Sequence, residues 1–348
     1  MKLEKLGLFI VSALLVAYSC KKDDGGSNVT PVELRDRTEQ EAADNDSLQK
    51  YLNHHYYNSE MLAGLSDPSI SDIVISKLED GETLPAGHTM LKPVVDSIQV
   101  TYANTDYKIY VLKLNQGGGG KKPTFADNVR LFYEGFLFDG SVFDSASTPV
   151  DFDLVNLIPG WRKVIPTFNV SESFIELGDG TIDYVNGGLG VMFLPSGLAY
   201  FANATSGIPA YSPINFKFEL VQAFVNDHDN DGIPSYLEDL NDDGEFTVNF
   251  EDLTDATDDD TDGNSIPDYF DNDDDGDGVL TINEIISKTY DNGGMGYATR
   301  EEVEALPFAD NEILIHVIED GNGNYTGISV LFTDTDNDGT PDYLDSDN

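Results

Sequence analysis

The chain has 348 residues and a mass of 38.1 kDa, with 40% hydrophobic and 11% aromatic residues, enough for a packed core and room for roughly two or three domains. Its 64 acidic and 19 basic residues give a formal net charge of −45, which excludes nucleic acid as a partner, since a phosphate backbone needs basic patches. The single cysteine, Cys20, excludes a disulfide within the chain and any cysteine-based zinc site. The charge is placed unevenly. Residues 226–348 hold 36 acidic and 2 basic residues, and the first 225 hold the other 28 and 17. An ordinary acidic protein is followed by a tail with a different purpose.

At the N-terminus Lys2 and Lys5 precede an apolar run over residues 6–17. Twelve residues fall short of the about 20 that a membrane span needs. A basic start, a short apolar stretch and then small residues make a secretory signal. Leu15-Val16-Ala17-Tyr18-Ser19-Cys20 resembles a loose bacterial lipobox, with Ala17 where leucine is usual and a bulky Tyr18. The resemblance implies a lipoprotein signal peptide over 1–19, lipid on Cys20 and a membrane as partner through that anchor. Lys21-Lys22-Asp23-Asp24-Gly25-Gly26 resembles the surface-export tag of Bacteroidetes lipoproteins. The expectation is an outer-membrane lipoprotein facing the periplasm or the cell surface, with a tether over 20–35. The alternatives are a signal cut nearby, with Cys20 a bystander, and a plain polar tether.

Residues 36–105 read as a helical and strand segment. Leu48, Tyr51, Leu52 and His55 recur on one helical face and predict a helix over 38–55. His54 and His55 invite a metal reading; a helix end with one buried ring is the plainer one. From Ser97 the period becomes two, through Ile98, Val100 and Tyr102 and again through Tyr107, Ile109, Val111 and Leu112. The run Gly117 to Gly120 lacks the Lys-Ser/Thr of a phosphate-binding loop and reads as a flexible connection. Strands are expected at 129–133 and 214–221, a turn at Phe138-Asp139-Gly140-Ser141 and a short helix at 161–168. Residues 106–224 thus form an α+β domain.

Within it the order of motifs is distinctive. Tyr133-Glu134-Gly135 precedes Phe138-Asp139-Gly140-Ser141-Val142-Phe143-Asp144, and Leu157-Ile158-Pro159-Gly160-Trp161 follows. Later come Leu194-Pro195-Ser196-Gly197-Leu198-Ala199-Tyr200 and Ile208-Pro209-Ala210-Tyr211 leading into Phe216-Lys217-Phe218. About 120 residues resemble the FKBP-type peptidyl-prolyl cis-trans isomerases. The resemblance implies an antiparallel sheet wrapped around a short helix, with a proline pocket between them. Trp161 would be its floor, and Tyr133, Phe143, Ile158 and Phe216 its walls. Asp144 would sit at the rim, while the Tyr200 hydroxyl and the Ile208 N–H would hold substrate carbonyls. Val150 stands where the family often has phenylalanine, Phe201 replaces a usual glycine, and a stretch near 171–190 is longer than the minimal domain and suggests an added hairpin beside the pocket.

These residue types suit that chemistry. Amide resonance sets a barrier of about 18–20 kcal/mol to peptide-bond rotation. A twisted X-Pro amide loses resonance and becomes less polar, so an apolar aromatic cavity binds it better than the planar form. Proline-containing polypeptides are the expected substrates, and no cofactor is needed for catalysis. The alternative is that the aromatics merely form a core, or grip peptides without turnover.

The acidic tail repeats. Asp227, Asp229 and Asp231 with Gly232 run to Glu238, and Asp260, Asp262 and Asn264 with Ser265 run to Asp271. Asp273, Asp275 and Asp277 with Gly278 run to Glu284, and Asp334, Asp336 and Asp338 with Gly339 run to Asp345. A weaker fifth copy begins at Asp239 and has Phe250 at its twelfth position. Oxygen ligands at positions 1, 3, 5 and 12 with glycine at 6 suit Ca²⁺, here a structural ion. Three copies carry proline at position eight (Pro234, Pro267, Pro341) and resemble thrombospondin type 3-like repeats. The third, with Leu280 and helix-compatible Ile285-Ile286, looks more like an EF-hand. The whole is expected to be an irregular calcium-binding region over 226–348. The alternatives are a disordered acidic run and a module that docks a partner only with Ca²⁺.

Overall fold

The alternation of apolar residues organises the molecule. In the computed structural model, which describes residues 34–249, 252 and 254–347, six antiparallel strands form one sheet. Their order is Asp96–Tyr102, Thr105–Asn115, Gly188–Leu194, Ile214–Phe224, Asn128–Phe136 and Val142–Asp153. The expected signal peptide, Cys20 and most of the expected tether lie outside the described residues, as does Phe250. Among the described residues no helix is long and apolar enough to cross a membrane.

Register sends alternate residues to opposite faces. Phe216, Phe218 and Leu220 pair with Gly135, Tyr133 and Leu131. These side chains join Tyr107, Ile109, Val111, Met192 and Leu194 in the core under the helix Pro159–Val164. The intervening residues Tyr110, Leu112, Phe136, Leu189, Val191 and Phe193 make a second core on the other face, against the helix Arg37–His54. Asp36 caps that helix through the Glu39 N–H at 2.9 Å. Leu48, Tyr51 and Leu52 are its buried apolar residues, and the His55 ring stacks on Tyr51 at 3.7 Å. The same face buries Gln40, Glu41 and Asp44, because the sheet side supplies their partners: Asp44 accepts from Ser196 N (2.8 Å) and Oγ (2.6 Å), and Glu41 from Lys108 N (3.1 Å).

Two local expectations change. The glycine run is a close-packed contact and not a flexible connection. Gly118 N–H donates to Asn186 O (2.8 Å) and Gly119 N–H to Val170 O (3.0 Å), and a Cβ at Gly117 would lie 2.2 Å from Asn169 O. The hairpin Ser173–Glu176 with Ile182–Val185 does form, but Tyr184 packs edge-on against Phe132, on the face opposite Tyr133 and away from the aromatic pocket.

In the tail, Ile285–Tyr290, Tyr325–Phe332 and Glu312–Glu319 make a three-stranded sheet in that order. Ile285-Ile286 therefore opens a strand and not the exiting helix of an EF-hand. Ile285 packs with Ile233, Val330 and Tyr343, a buried strand setting that suits a β-branched residue. Pro234, Pro267 and Pro341 each precede a one-turn 3₁₀ helix. The fifth, weaker copy lies against the helix Pro159–Val164: Glu245 pairs with Arg162 and, at 2.8 Å, with Lys163, whose Nζ also donates to Asp243 O (3.1 Å) and Gly244 O (3.0 Å).

Candidate active site and cation sites

Trp161 enters the core on the first turn of its helix, which Pro159 opens and a close approach at Gly160 seats against Leu194. Its ring lies 4.9 Å from Phe216, 6.1 Å edge-on from Tyr133 and 6.2 Å from Phe152. Phe143 meets Phe216 edge-on at 5.5 Å. Gly135 makes this possible, because a Cβ there would stand 2.5 Å from the Phe143 ring and 2.8 Å from Phe216. Seven of the eight expected pocket residues, Tyr133, Phe143, Ile158, Trp161, Tyr200, Ile208 and Phe216, belong to one aromatic and aliphatic cluster, with Asp144 outside it. Phe152 belongs there too; its alternation on the strand Val142–Asp153 is the signal that marks it.

The polar groups gather at the rim. Tyr133 donates its hydroxyl to Asp144 Oδ2 at 2.7 Å. Burial and then that carboxylate push the Tyr133 phenol up. Burial, followed by the Asp144 charge, also pushes up the Tyr200 phenol, so both remain donors at neutral pH. The Ile208 N–H donates to Thr205 O at 3.0 Å and closes a turn. In this conformation the floor is nearly covered: Trp161 is 3% exposed and Phe216 4%, while Tyr133, Phe143, Ile158 and Tyr200 keep partly open edges.

The tail gathers carboxylates. Asp273, Asp275 and Asp277 each bring an oxygen within 4.8 Å of the others, and so do Asp334, Asp336 and Asp338. Asp229, Asp231 and Glu238 gather in the same way, with Asp274, which the repeat spacing did not mark. Asp227, Glu284 and Asp345 stand outside these sets. Asp227 accepts the N–H of Asn230 (2.7 Å) and of Gly232 (3.2 Å), and so shapes its loop. In the second copy Asp260 does this for Ser265 N (2.8 Å), Asn264 reaches Asp262 Oδ2 (3.1 Å) and also Asp271, and Ser265 adopts φ +75°, where the other copies have glycine. The donor set is all oxygen, which fits a hard divalent cation such as Ca²⁺. Orphaned atoms support the fit: both carboxylate oxygens of Glu238, which is wholly buried, have no hydrogen-bond partner. Burial and the neighbouring acids push Asp274 up to about 10 and Asp229 to about 8.

Comparison with known proteins bears on both halves. Residues 119–221 match the family model for FKBP-type peptidyl-prolyl cis-trans isomerase. The chain contains an FKBP-type domain. Residues 228–310 match a second family model, BamM C-terminal, which the repeat spacing did not name. A probable FKBP-type peptidyl-prolyl cis-trans isomerase FkpA of Neisseria meningitidis is 28% identical over 174 residues, which cover 49% of this chain and 56% of that protein. FkpA of Aeromonas hydrophila is 34% identical over 107 residues, covering 30% and 34%. The crystal structure of FkpA from Escherichia coli matches at 26% identity and a TM-score of 0.28, over 36% of this chain and 51% of that one. The chain thus spans between about a third and just over half of these curated relatives.

Within the FKBP-type domain the departures have local explanations. Phe201 keeps the left-handed backbone (φ +48°) that a glycine takes without strain. Its ring is held by the Arg37 guanidinium at 4.3 Å and by Tyr211 edge-on at 5.1 Å. The helix Arg37–His54 thereby braces the loop that carries Tyr200 and Ile208. Val150 pairs with Leu131 on the strand next to the pocket, and the ring that reaches Trp161 from that strand is that of Phe152, at 6.2 Å.

Proposed function

We propose that this protein is a peptidyl-prolyl cis-trans isomerase that assists exported polypeptides. The reading adds that lipid on Cys20 holds it to the outer membrane, facing the periplasm or the cell surface, and that Ca²⁺ stiffens its tail. The observation that carries the catalytic part is the ring of Tyr133, Phe143, Phe152 and Phe216 around Trp161, with Asp144 and Tyr200 at its edge. A prolyl ring entering it exchanges water for aromatic surface, and the twisted amide, with less charge separation, gains more than the planar one. The Tyr200 hydroxyl, which has no hydrogen-bond partner among the described residues, is free to donate to a substrate carbonyl. Substrate displaces Thr205 O from the Ile208 N–H to gain a second donor. The family match over 119–221 supports the activity, and the relative named outer membrane protein MIP of Legionella longbeachae, 30% identical over 113 residues, supports an envelope location.

One observation favours a second reading. The cover over Trp161 suits a module that clasps proline-containing segments without turning them over. A proline-limited peptide assay separates the two. The isomerase predicts a rate above background that falls by about tenfold or more in Tyr200→Phe, Asp144→Val and Trp161→Ala. A wild-type rate equal to background, with peptide binding retained, removes the enzyme. Labelling of Cys20 by radioactive palmitate tests the anchor, and its absence in cells that process other lipoproteins defeats it.

A further inference from the structure

The repeats close their turns by a common pairing of the second position with the ninth. In the second copy Thr261 N (2.9 Å) and Oγ1 (2.7 Å) bond to Asp268. In the fourth, Thr335 N (2.6 Å) and Oγ1 (2.8 Å) bond to Asp342. In the first, His228 N (3.1 Å) and Nδ1 (2.8 Å) meet Ser235 Oγ. The third copy departs from this. Asp274 N–H still reaches Thr281 Oγ1 at 3.3 Å, but the Asp274 carboxylate takes no part.

That carboxylate leaves its own repeat. Asp274 is 1% exposed, and neither of its oxygens has a hydrogen-bond partner. It meets Asp229, Asp231 and Glu238 of the first repeat, all four offering an oxygen within 4.8 Å of the others. Glu238 is 0% exposed, and both its oxygens are also unpartnered. Two fully buried carboxylates aimed into one cluster, with no donor for either, form an arrangement that only positive charge or bound protons can hold together. Among the described residues no lysine or arginine forms an ion pair with any of the four.

We propose that Asp274 completes the first repeat's cation site, so that one divalent cation is shared by the first and third repeats and cross-links them. The inference rests on the reading of the tail as calcium-binding and specifies a ligand that the spacing of a single repeat does not contain. Four carboxylates favour Ca²⁺ over Mg²⁺, which keeps more of its water and demands octahedral geometry. The cross-link closes the chain between Glu238 and Asp274. That closed stretch contains the second repeat and the segment around Glu245 that grips Arg162 and Lys163. Tyr343 is buried beside the same carboxylates and provides a sensitiser for Tb³⁺ in this site.

The test uses the mature chain without its lipid, titrated with Ca²⁺ by calorimetry and with Tb³⁺ by tyrosine-sensitised luminescence. Asp274→Asn and Asp274→Thr are compared with wild type and with Asp277→Asn, a change in the third repeat's own set. Threonine is the residue that the second and fourth copies hold at this position, so it carries the least risk of misfolding. Both Asp274 variants are expected to lose one ion or to bind it about tenfold or more weakly. Their metal-free thermal midpoint rises, because a buried repulsion is gone, while the increment that Ca²⁺ adds shrinks. Asp277→Asn weakens a different site and leaves the tyrosine-sensitised one in place. Unchanged stoichiometry and affinity in both Asp274 variants overturn the shared site. A metal-free midpoint that falls in both also overturns it, since the side chain is then structural. If wild type binds no Ca²⁺ at all, the calcium reading itself fails, an outcome separate from either.

Discussion

Trp161 and Glu238 are both almost wholly withdrawn from solvent, at 3% and 0% exposed, yet their surroundings are opposites. The indole lies among Phe216, Phe218, Tyr133 and Phe152, where burial is itself the driving force. The carboxylate lies among other carboxylates, where burial is a cost until a counter-charge arrives. One half of the chain carries its stability in its own side chains. The other half, on the proposed calcium reading, leaves part of it to be supplied from solution. The two meet at several contacts: Glu245 takes Arg162 and Lys163 from the helix that also carries Trp161, His228 reaches Asp153 at 3.1 Å, and Phe246 packs against Phe125 at 5.1 Å.

The largest expected effect lies in the self-sufficient half. Phe218 is fully buried and touches both Trp161 and Phe168, the latter edge-on at 4.9 Å. Phe218→Ala is expected to cost about 3–5 kcal/mol. Denaturant unfolding followed at the Trp161 fluorescence would measure it, and the cost should be the same with and without Ca²⁺. A Ca²⁺-dependent cost would mean that the halves do not fold as separately as their chemistry implies.

Chelation is the converse experiment. Saturating Ca²⁺ at about a hundred times its Kd contributes about 2.7 kcal/mol per site. Removing it should expose residues 226–348 to protease while residues 106–224 stay protected and keep their far-UV signal. Mass spectrometry of the fragments reads the result directly. Cleavage spread evenly over both halves would erase the contrast.

How much of this was legible beforehand follows the same division. The alternation at 107–112 and 214–221 and the aromatic motifs marked the sheet and the pocket, because apolar burial leaves a periodic trace in sequence. The hidden face of the helix Arg37–His54 left a weaker trace, since Gln40, Glu41 and Asp44 read as solvent-facing until Ser196 and Lys108 arrive from far along the chain. The glycine run read as loose for a related reason: close backbone approach is a property of two segments, and only one is visible locally. The repeats announced their turns through Asp and Gly spacing. They did not announce Asp274, whose partners belong to another repeat.

The Glu245 contact between the halves should yield an intermediate effect. The side chains of Arg162, Lys163 and Glu245 are only 11–15% exposed. Glu245→Ala takes the carboxylate from two cations, which keep only backbone carbonyl acceptors, and is expected to cost about 1–3 kcal/mol, between the values of exposed and buried pairs. Isomerase rate should change less than in Tyr200→Phe. Its Ca²⁺ dependence, if wild type has any, should weaken, because the Trp161 helix then keeps only the Lys163 bonds to Asp243 O and Gly244 O in this segment of the tail. A variant that retains full Ca²⁺ dependence of rate would place the coupling elsewhere.

The smallest effect tests whether an uncompensated carboxylate also exists in the self-sufficient half. Glu219 lies on the strand Ile214–Phe224, on the face turned away from Trp161, in a cavity of about 430 Å³ lined also by Asp67, Tyr184 and Phe132. Burial, then the Asp67 charge, pushes its carboxyl up to about 7 from an ordinary 4.5, against the opposing bond from the Ile70 N–H. A folded-state value above the unfolded one means that the folded chain holds the extra proton between them. Glu219 is therefore harmless below about pH 4.5, and its contribution turns unfavourable as pH rises towards 7 and beyond. Glu219→Gln should leave stability at pH 4 nearly unchanged, raise it by about 1 kcal/mol or more at pH 8, and flatten the profile between. Chelator should not alter that gain, whereas on the proposed calcium reading it does lower the stability of the tail. If Glu219→Gln destabilises at pH 8, the Ile70 N–H outweighs burial for the charged form, and the contrast between the two halves narrows to the aromatic core alone.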